Sequence, residues 1–259
     1  MRKFYSLASL VLAGLLVVGC SGSKKDEFEG IPSQELYDKG QVSLQDGDYN
    51  NAIRYLDAVD LRSNQGAYDE QVQLSLIYAN YKLGEYYKAL EVAERFARTH
   101  PNSSSMDYVY YLAGLNYARL GDNWIQDFFG INRASRAIEN IRNAYGNFQT
   151  ITFQYPNSQY TSDAQNWMIY LKNRLAEHEL KIAEFYMERK AYVAVVNRVD
   201  EMLRLYPDTQ ATYHALPLLK TSFEAMGIKD SAQKISEMIK ENQNKTFTNI
   251  EKPKYGEQF

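Results

Sequence analysis

The chain reads as an all-α superhelix, a solenoid of five helical hairpins with an insertion in the third. Three observations predict it. Gly40, Gly47, Tyr49, Ala52 and Leu56 are followed 37 positions on by Ile77, Gly84, Tyr86, Ala89 and Ala93, and such a period marks stacked helix pairs. Apolar residues recur at helical spacing, with no useful strand-like alternation. Twenty-two tyrosines against 14 glycines and 6 prolines leave few turn formers for an all-β design but suit helices packed through aromatic rings.

Composition narrows the function classes. Of 259 residues, 45% are hydrophobic, enough for a core, and 24% are charged. The net charge of -3 argues against nucleic acid as the main partner. A single cysteine excludes an internal disulfide or a thiolate metal cluster, and His100, His178 and His214 are scattered, so no cofactor or metal is expected.

The first element is a targeting segment. Arg2 and Lys3 precede an apolar run from Leu7 to Val18, shorter than the about 20 residues of a membrane-spanning helix, and residues 1–19 read as a cleaved secretory signal. Val18 and Gly19 stand directly before Cys20, as in the lipobox of bacterial prolipoproteins. Cys20 is therefore expected to carry an N-palmitoyl group and an S-diacylglycerol, enough acyl chains for stable anchoring. Ser21 follows instead of Asp, which under the sorting rule for such proteins implies the outer membrane. Cleavage leaves 27 basic and 32 acidic side chains, a net charge of -5. Residues 20–32 read as a polar tether, 33–245 as the repeat domain and 246–259 as a flexible tail.

The hairpins follow in order. Hairpin two carries the stripe Val72, Leu76, Ala79 and Leu83, and hairpin three places Tyr110 and Tyr117 at the aromatic positions of a tetratricopeptide repeat. There the frame jumps by 18 residues: Ala144, Phe148 and Pro156 match Ala89, Ala93 and Pro101 only after a shift of 55. The extra segment lies near GDNWIQDFFGINRASRAI, between the two helices of that hairpin. Trp124, Ile125, Phe128, Phe129 and Ile131 give it an apolar load that predicts order, either facing a partner or packing on neighbouring helices. Pro101, Pro156 and Pro207, each followed by Asn or Asp and then Ser or Thr, separate hairpins. From Ser162, placed to cap with Gln165, to Arg189 no breaker occurs, which predicts one long helix bearing the stripe Ala176, Leu180, Ala183 and Met187. Val195, Val199, Met202 and Tyr206 mark its partner, and Phe223, Gly227, Ala232 and Ser236 mark hairpin five.

No nucleophile, tuned acid or base, metal cluster or phosphate loop stands out. Glu177, Glu179 and Glu184 beside His178 read as a solvated helical face. The chain is expected to be non-enzymatic. First helices line the groove of such a superhelix, and Asn80, Tyr81, Asn116 and Arg119 lie there largely off the apolar stripe. Their chemistry suits an extended peptide, although Tyr81 and Asn116 equally suit packing between repeats.

These features resemble the BamD family, the tetratricopeptide lipoproteins of the bacterial β-barrel assembly machinery. The likeness is carried by Gln71–Tyr81 (QVQLSLIYANY), Phe128-Phe129-Gly130, Tyr155–Thr161 (YPNSQYT), Val193–Arg198 (VAVVNR) and Tyr206–Ala211 (YPDTQA), and exposed polar positions such as Gln71, Asn157, Asn197 and Arg198 also match. One departure is Ser63-Asn64-Gln65-Gly66, where the family commonly has Tyr-Pro-Phe-Gly, so Asn64 replaces a stiffening proline. The resemblance implies a scaffold on the periplasmic face of the cell outer membrane, needed for assembly and insertion of β-barrel proteins. It would hold the barrel subunit BamA, accommodate the lipoproteins BamC and BamE, and receive unfolded outer-membrane proteins. Asn197 and Arg198 are the implied BamA contacts, with a solvated helical face as the alternative. Asn80, Tyr81, Asn116 and Arg119 are the expected client- or peptide-binding residues. Another outer-membrane repeat lipoprotein of pilotin type, or a cell-wall hydrolase or its activator acting through Glu179 or Glu184, is an alternative of a different class.

Overall fold

The computed structural model describes residues 27–62, 68–122 and 131–255, and every regular element among them is helical. Cys20, the Asn64 turn and the Trp124–Phe129 aromatic run lie outside the described residues. Among the described residues ten helices form five consecutive antiparallel pairs: α1 (Ser33–Gln45) with α2 (Tyr49–Arg62), α3 (Asp69–Leu83) with α4 (Tyr86–Thr99), α5 (Met106–Gly121) with α6 (Ile131–Gln154), α7 (Thr161–Glu188) with α8 (Tyr192–Leu205), and α9 (Gln210–Ala225) with α10 (Lys229–Glu241). Each helix packs on the next, and α3 also touches α5 as α7 touches α9, the pattern of a helical-repeat stack.

The repeat has a backbone cause. Gly47, Gly84 and Gly227 end α1, α3 and α9 with φ of 73°, 84° and 75°, and Lys190 does the same after α7 at 56°. At each, the following amide reaches back five residues, as from Glu85 to the Asn80 carbonyl at 2.9 Å, which closes a Schellman motif. A left-handed residue costs a non-glycine side chain about 1–2 kcal/mol, so glycine recurs there and Lys190 is the strained exception. Gly121, next in the 37-residue frame, is helical instead, because the insertion replaces the tight turn.

Side-chain size sets the spacing inside hairpins. A Cβ on Gly40 would stand 2.8 Å from Leu56 Cγ, and one on Gly114 would stand 2.7 Å from Phe148 Cε1. Between them in the frame, Ile77 is matched by the small Ala93. A large residue on one helix is answered by a small one on the other, and the pairing reverses in the second hairpin.

Prolines form the connections. The Ser103, Ser158 and Thr209 amides donate to the carbonyls of His100, Tyr155 and Tyr206 at 3.0, 2.9 and 3.2 Å, placing Pro101, Pro156 and Pro207 second in a β-turn. Part of the insertion is helical: Ala89 is three residues into α4, whereas Ala144 is thirteen residues into α6. The long helix is present as the 28-residue α7, about 42 Å at 1.5 Å per residue. Its expected cap is not. The helix opens after Tyr160 without a side-chain cap, and Thr161, not Ser162, turns its hydroxyl back onto the Tyr155 carbonyl at 3.0 Å.

Three apolar clusters run along the stack. Leu36, Leu56, Val59, Val72 and Leu76 fill the amino-terminal one, while Phe96, Leu112, Phe148 and Trp167 belong to the central one. Val195, Val199, Met202 and Leu216 fill the carboxy-terminal one. Helix α7 joins the last two, giving Trp167, Leu171 and Leu175 to one and Ala176 and Ala183 to the other.

Two segments expected to be loose are docked. The Phe28 ring lies 5.4 Å from Tyr55, and Arg62 holds the carbonyls of Phe28 and Ile31 at 2.8 and 2.7 Å, so the tether yields its last residues to the body. Residues 246–255, read as the start of a flexible tail, run back over α9 and α7 to the end of α5. Apolar side chains at Phe247, Ile250 and Tyr255, invisible to a search for helical periodicity, anchor them.

Candidate interaction surfaces

The first surface is a cleft of about 480 Å³ lined by Gln71, Ser75 and Tyr78 of α3, Asp107 and Tyr108 of α5, and Tyr160 of the turn before α7. Gln41 on α1 donates to Ser75 Oγ at 3.0 Å, tying the first hairpin to the wall. Burial pushes the Tyr108 phenol well above its ordinary pKa, helped by neighbouring tyrosines. Tyr78 is raised by burial and by Tyr49, whose ring meets it edge-on at 6.1 Å. These phenols stay protonated and present O–H groups beside amide and hydroxyl groups, a lining that can bond the backbone of an extended chain. Gln71 is one of the exposed polar positions of the resemblance, and Ser75 and Tyr78 fall in the same stretch without a role assigned to them there.

The candidate groove residues sit elsewhere. Asn80 is 3% exposed, Tyr81 7% and Asn116 0%, which corrects the expectation that they face a ligand. Asn80 and Asn116 instead donate from Nδ2 to the carbonyls of Leu76 and Leu112 at 2.8 and 2.7 Å. The cause is geometric. A first helix within the stack is covered by its own second helix and by both neighbouring hairpins, so α3 and α5 bury several faces and residues off the main stripe are enclosed too. Leu83, assigned to that stripe, is conversely 38% exposed at the helix end. Arg119 alone of the four remains partly exposed. It lies under the Tyr255 ring, 3.5 Å from the centroid.

The second surface is the junction of α6, α7 and α8. Arg198 Nη1 lies 2.8 Å from Glu179 Oε2 and 3.5 Å from Glu201, while Arg142 Nη2 and His178 Nδ1 both stand 3.7 Å from Glu179 Oε1. Glu179 is 5% exposed, so the solvated face read from sequence is corrected at this residue. Burial raises its pKa, but His178 and Arg198 together outweigh burial and hold the carboxyl below its ordinary value. A general acid needs the opposite shift. Arg198 is thus partly a structural counterion, whereas Asn197 beside it is exposed. Among the described residues no group of three or more His, Cys, Asp or Glu is arranged to hold a metal, and no helix is long and apolar enough to cross a membrane.

Comparison with known proteins fixes what this architecture is. A family model described as YfiO, outer membrane lipoprotein, matches residues 29–238. The "Outer membrane protein assembly factor BamD" of Pasteurella multocida is 51% identical over 253 residues, covering 98% of this chain and 96% of that protein. The chain belongs to the BamD family of outer membrane protein assembly factors. The Haemophilus influenzae member is 49% identical over the same span, and that of Vibrio cholerae is 39% identical over 93% of this chain and 99% of its own length. Among solved structures, the MamA protein aligns over 85% of this chain and 98% of its own at 16% identity, with a TM-score of 0.29. Family membership places the two surfaces on an outer-membrane assembly factor.

Proposed function

We propose that the chain is a lipid-anchored, non-catalytic scaffold at the periplasmic face of the outer membrane. Its carboxy-terminal hairpins hold a BamA-type barrel subunit, with BamC- and BamE-type lipoproteins as further partners. The cleft beside α3 and α5 receives an extended segment of an unfolded outer-membrane protein. Anchoring is assigned to the acylated Cys20, and no cofactor is required. The observation that carries the client role is the cleft itself, where tyrosine, serine and glutamine side chains and the Asp107 carboxylate line one opening.

Photocrosslinkers at Gln71 and Tyr78 test it directly. They are expected to capture nascent barrel proteins or a lipoprotein partner, while crosslinkers at the exposed Glu91 and Glu94 of α4 capture far less. Equal yields at all four positions remove the cleft from the mechanism. A detergent pull-down with mass spectrometry that fails to recover a BamA-type subunit removes the scaffold reading.

A further inference from the structure

The carboxy-terminal segment meets the body at a site with a definite chemistry. Asp122 follows the last residue of α5, and an acid at the negative end of a helix dipole gains from a cation or donor placed against it. Two groups of one segment supply both: Lys252 Nζ and the Tyr255 hydroxyl each lie 2.6 Å from an Asp122 carboxylate oxygen. The Tyr255 ring is gripped on its faces and edges. Arg119 stacks 3.5 Å from its centroid, Trp167 lies 4.8 Å away, and Lys252 Nζ is 4.4 Å from it. Trp167 is stacked on Phe148 at 5.7 Å, so the floor of the site is part of the central core.

The covering segment is held by a few side chains and no regular structure. Residues 246–255 form no helix or strand, and Glu251, Lys252 and Lys254 are exposed. A cleft of about 470 Å³ remains where residues 246–250 cross α7 and α9. The segment resembles a bound peptide more than a core element: a rigid floor, a few anchoring side chains and an extended backbone.

We propose that Arg119, Asp122 and Trp167 form a recognition site for an extended peptide segment bearing a lysine three residues before a tyrosine, occupied in this chain by its own Lys252 and Tyr255 as a displaceable ligand. A segment of the same chemistry on a partner competes for it. About ten residues separate α10 from Lys252, and a short tether of this kind sets an effective concentration in the millimolar range. A free segment of about 10 μM intrinsic affinity is then weakened about a hundredfold, so the site opens only to a partner brought close by other contacts. This assignment stands apart from the cleft beside α3, which shares none of these three residues.

The test uses a fluorescein-labelled peptide with the sequence of residues 246–259 and fluorescence anisotropy on the full-length chain in detergent. The Tyr255→Ala chain, its own ligand disabled, is expected to bind the peptide at least tenfold more tightly than the unaltered chain. Peptides carrying Lys252→Ala or Tyr255→Ala lose that binding, and adding Asp122→Asn to the Tyr255→Ala chain weakens it at least tenfold. Equal binding to both chains, no binding to the Tyr255→Ala chain, or indifference to Asp122→Asn overturns the proposal. A second measurement needs no variant. Excess unlabelled peptide is expected to speed hydrogen exchange of the chain's own residues 246–255, and unchanged exchange there counts against displacement as well. If Tyr255→Ala lowers the melting temperature enough to blur the result, Lys252→Ala is the replacement: it takes the ammonium from Asp122 but leaves the Tyr255 hydroxyl there, so a smaller gain in peptide binding over the unaltered chain is expected, and no gain overturns the proposal.

Discussion

Replacing Gly114 with alanine places a methyl carbon 2.7 Å from Phe148 Cε1, 2.8 Å from Cζ and 3.1 Å from Cδ1. The ring has no room to yield. It is fully buried, stacked on Trp167 at 5.7 Å and meeting Tyr111 edge-on at 6.0 Å. Overpacking of this kind costs about 1–3 kcal/mol, and the gain of alanine over glycine inside a helix offsets about 0.5–1 kcal/mol. Gly114→Ala is therefore expected to destabilise by about 1–2 kcal/mol. The second hairpin supplies a rescue, since Ile77 and Ala93 occupy the same two positions with sizes exchanged. Phe148→Ala alone costs about 3–5 kcal/mol as a core truncation, and Gly114→Ile added to it refills part of the void. The double variant is expected to be more stable than Phe148→Ala, although Gly114→Ile alone is strongly destabilising. Urea unfolding followed by circular dichroism measures the cycle. Energies that add within about 0.5 kcal/mol would refute size complementarity as the rule that spaces the hairpins.

Three further outcomes follow from the geometry. Lys190→Gly removes a left-handed non-glycine residue and is expected to stabilise by about 0.5–1 kcal/mol in urea titrations, after the extra chain entropy of glycine is counted. Arg198→Glu sets a carboxylate against buried Glu179 and is expected to lower stability by about 1–3 kcal/mol, so loss of partner binding in that variant has to be compared with Asn197→Ala, whose melting temperature stays unchanged. Glu179 has a folded pKa held below its unfolded value, so its contribution is present above the unfolded value and is lost as pH falls through the folded one; melting temperatures measured down through the acid range fall less steeply for Glu179→Gln.

Much of the repeat architecture was legible because each signal has a local cause. The 37-residue frame records the left-handed turn and the small-against-large pair, and Pro101, Pro156 and Pro207 fix their own turns through φ. The long α7 was legible because nothing interrupts it. Features that depend on the fold of distant segments were not. Asn80 and Asn116 are polar and off the stripe, which on an isolated helix means exposure, yet neighbouring hairpins enclose them. Glu179 sits among charged residues that are exposed, and only the approach of α8 and α6 brings Arg198 and Arg142 to it. Tyr255 meets Asp122 across 133 positions, a separation at which no local pattern operates.

The same contrast indicates where a solenoid of this kind keeps surface for partners. Interior first helices bury residues on several faces, as α3 and α5 do from Val72 to Tyr81 and from Met106 to Gly121. Second helices remain one-sided: α4 buries Ala89, Ala93 and Phe96, and α8 buries Val195, Val199 and Met202. Their outer faces stay free for recognition without loss of core, and α8 carries the exposed Val193 and Asn197 there. First helices reach a ligand only along their edges, where Gln71, Ser75 and Tyr78 border the cleft one helical turn apart. Surface open for recognition is thus found on the outer faces of second helices and along a narrow edge of first helices. Substitutions at the first kind of site are expected to spare stability, while those at the second border buried neighbours such as Leu74 and Ile77 and affect both properties.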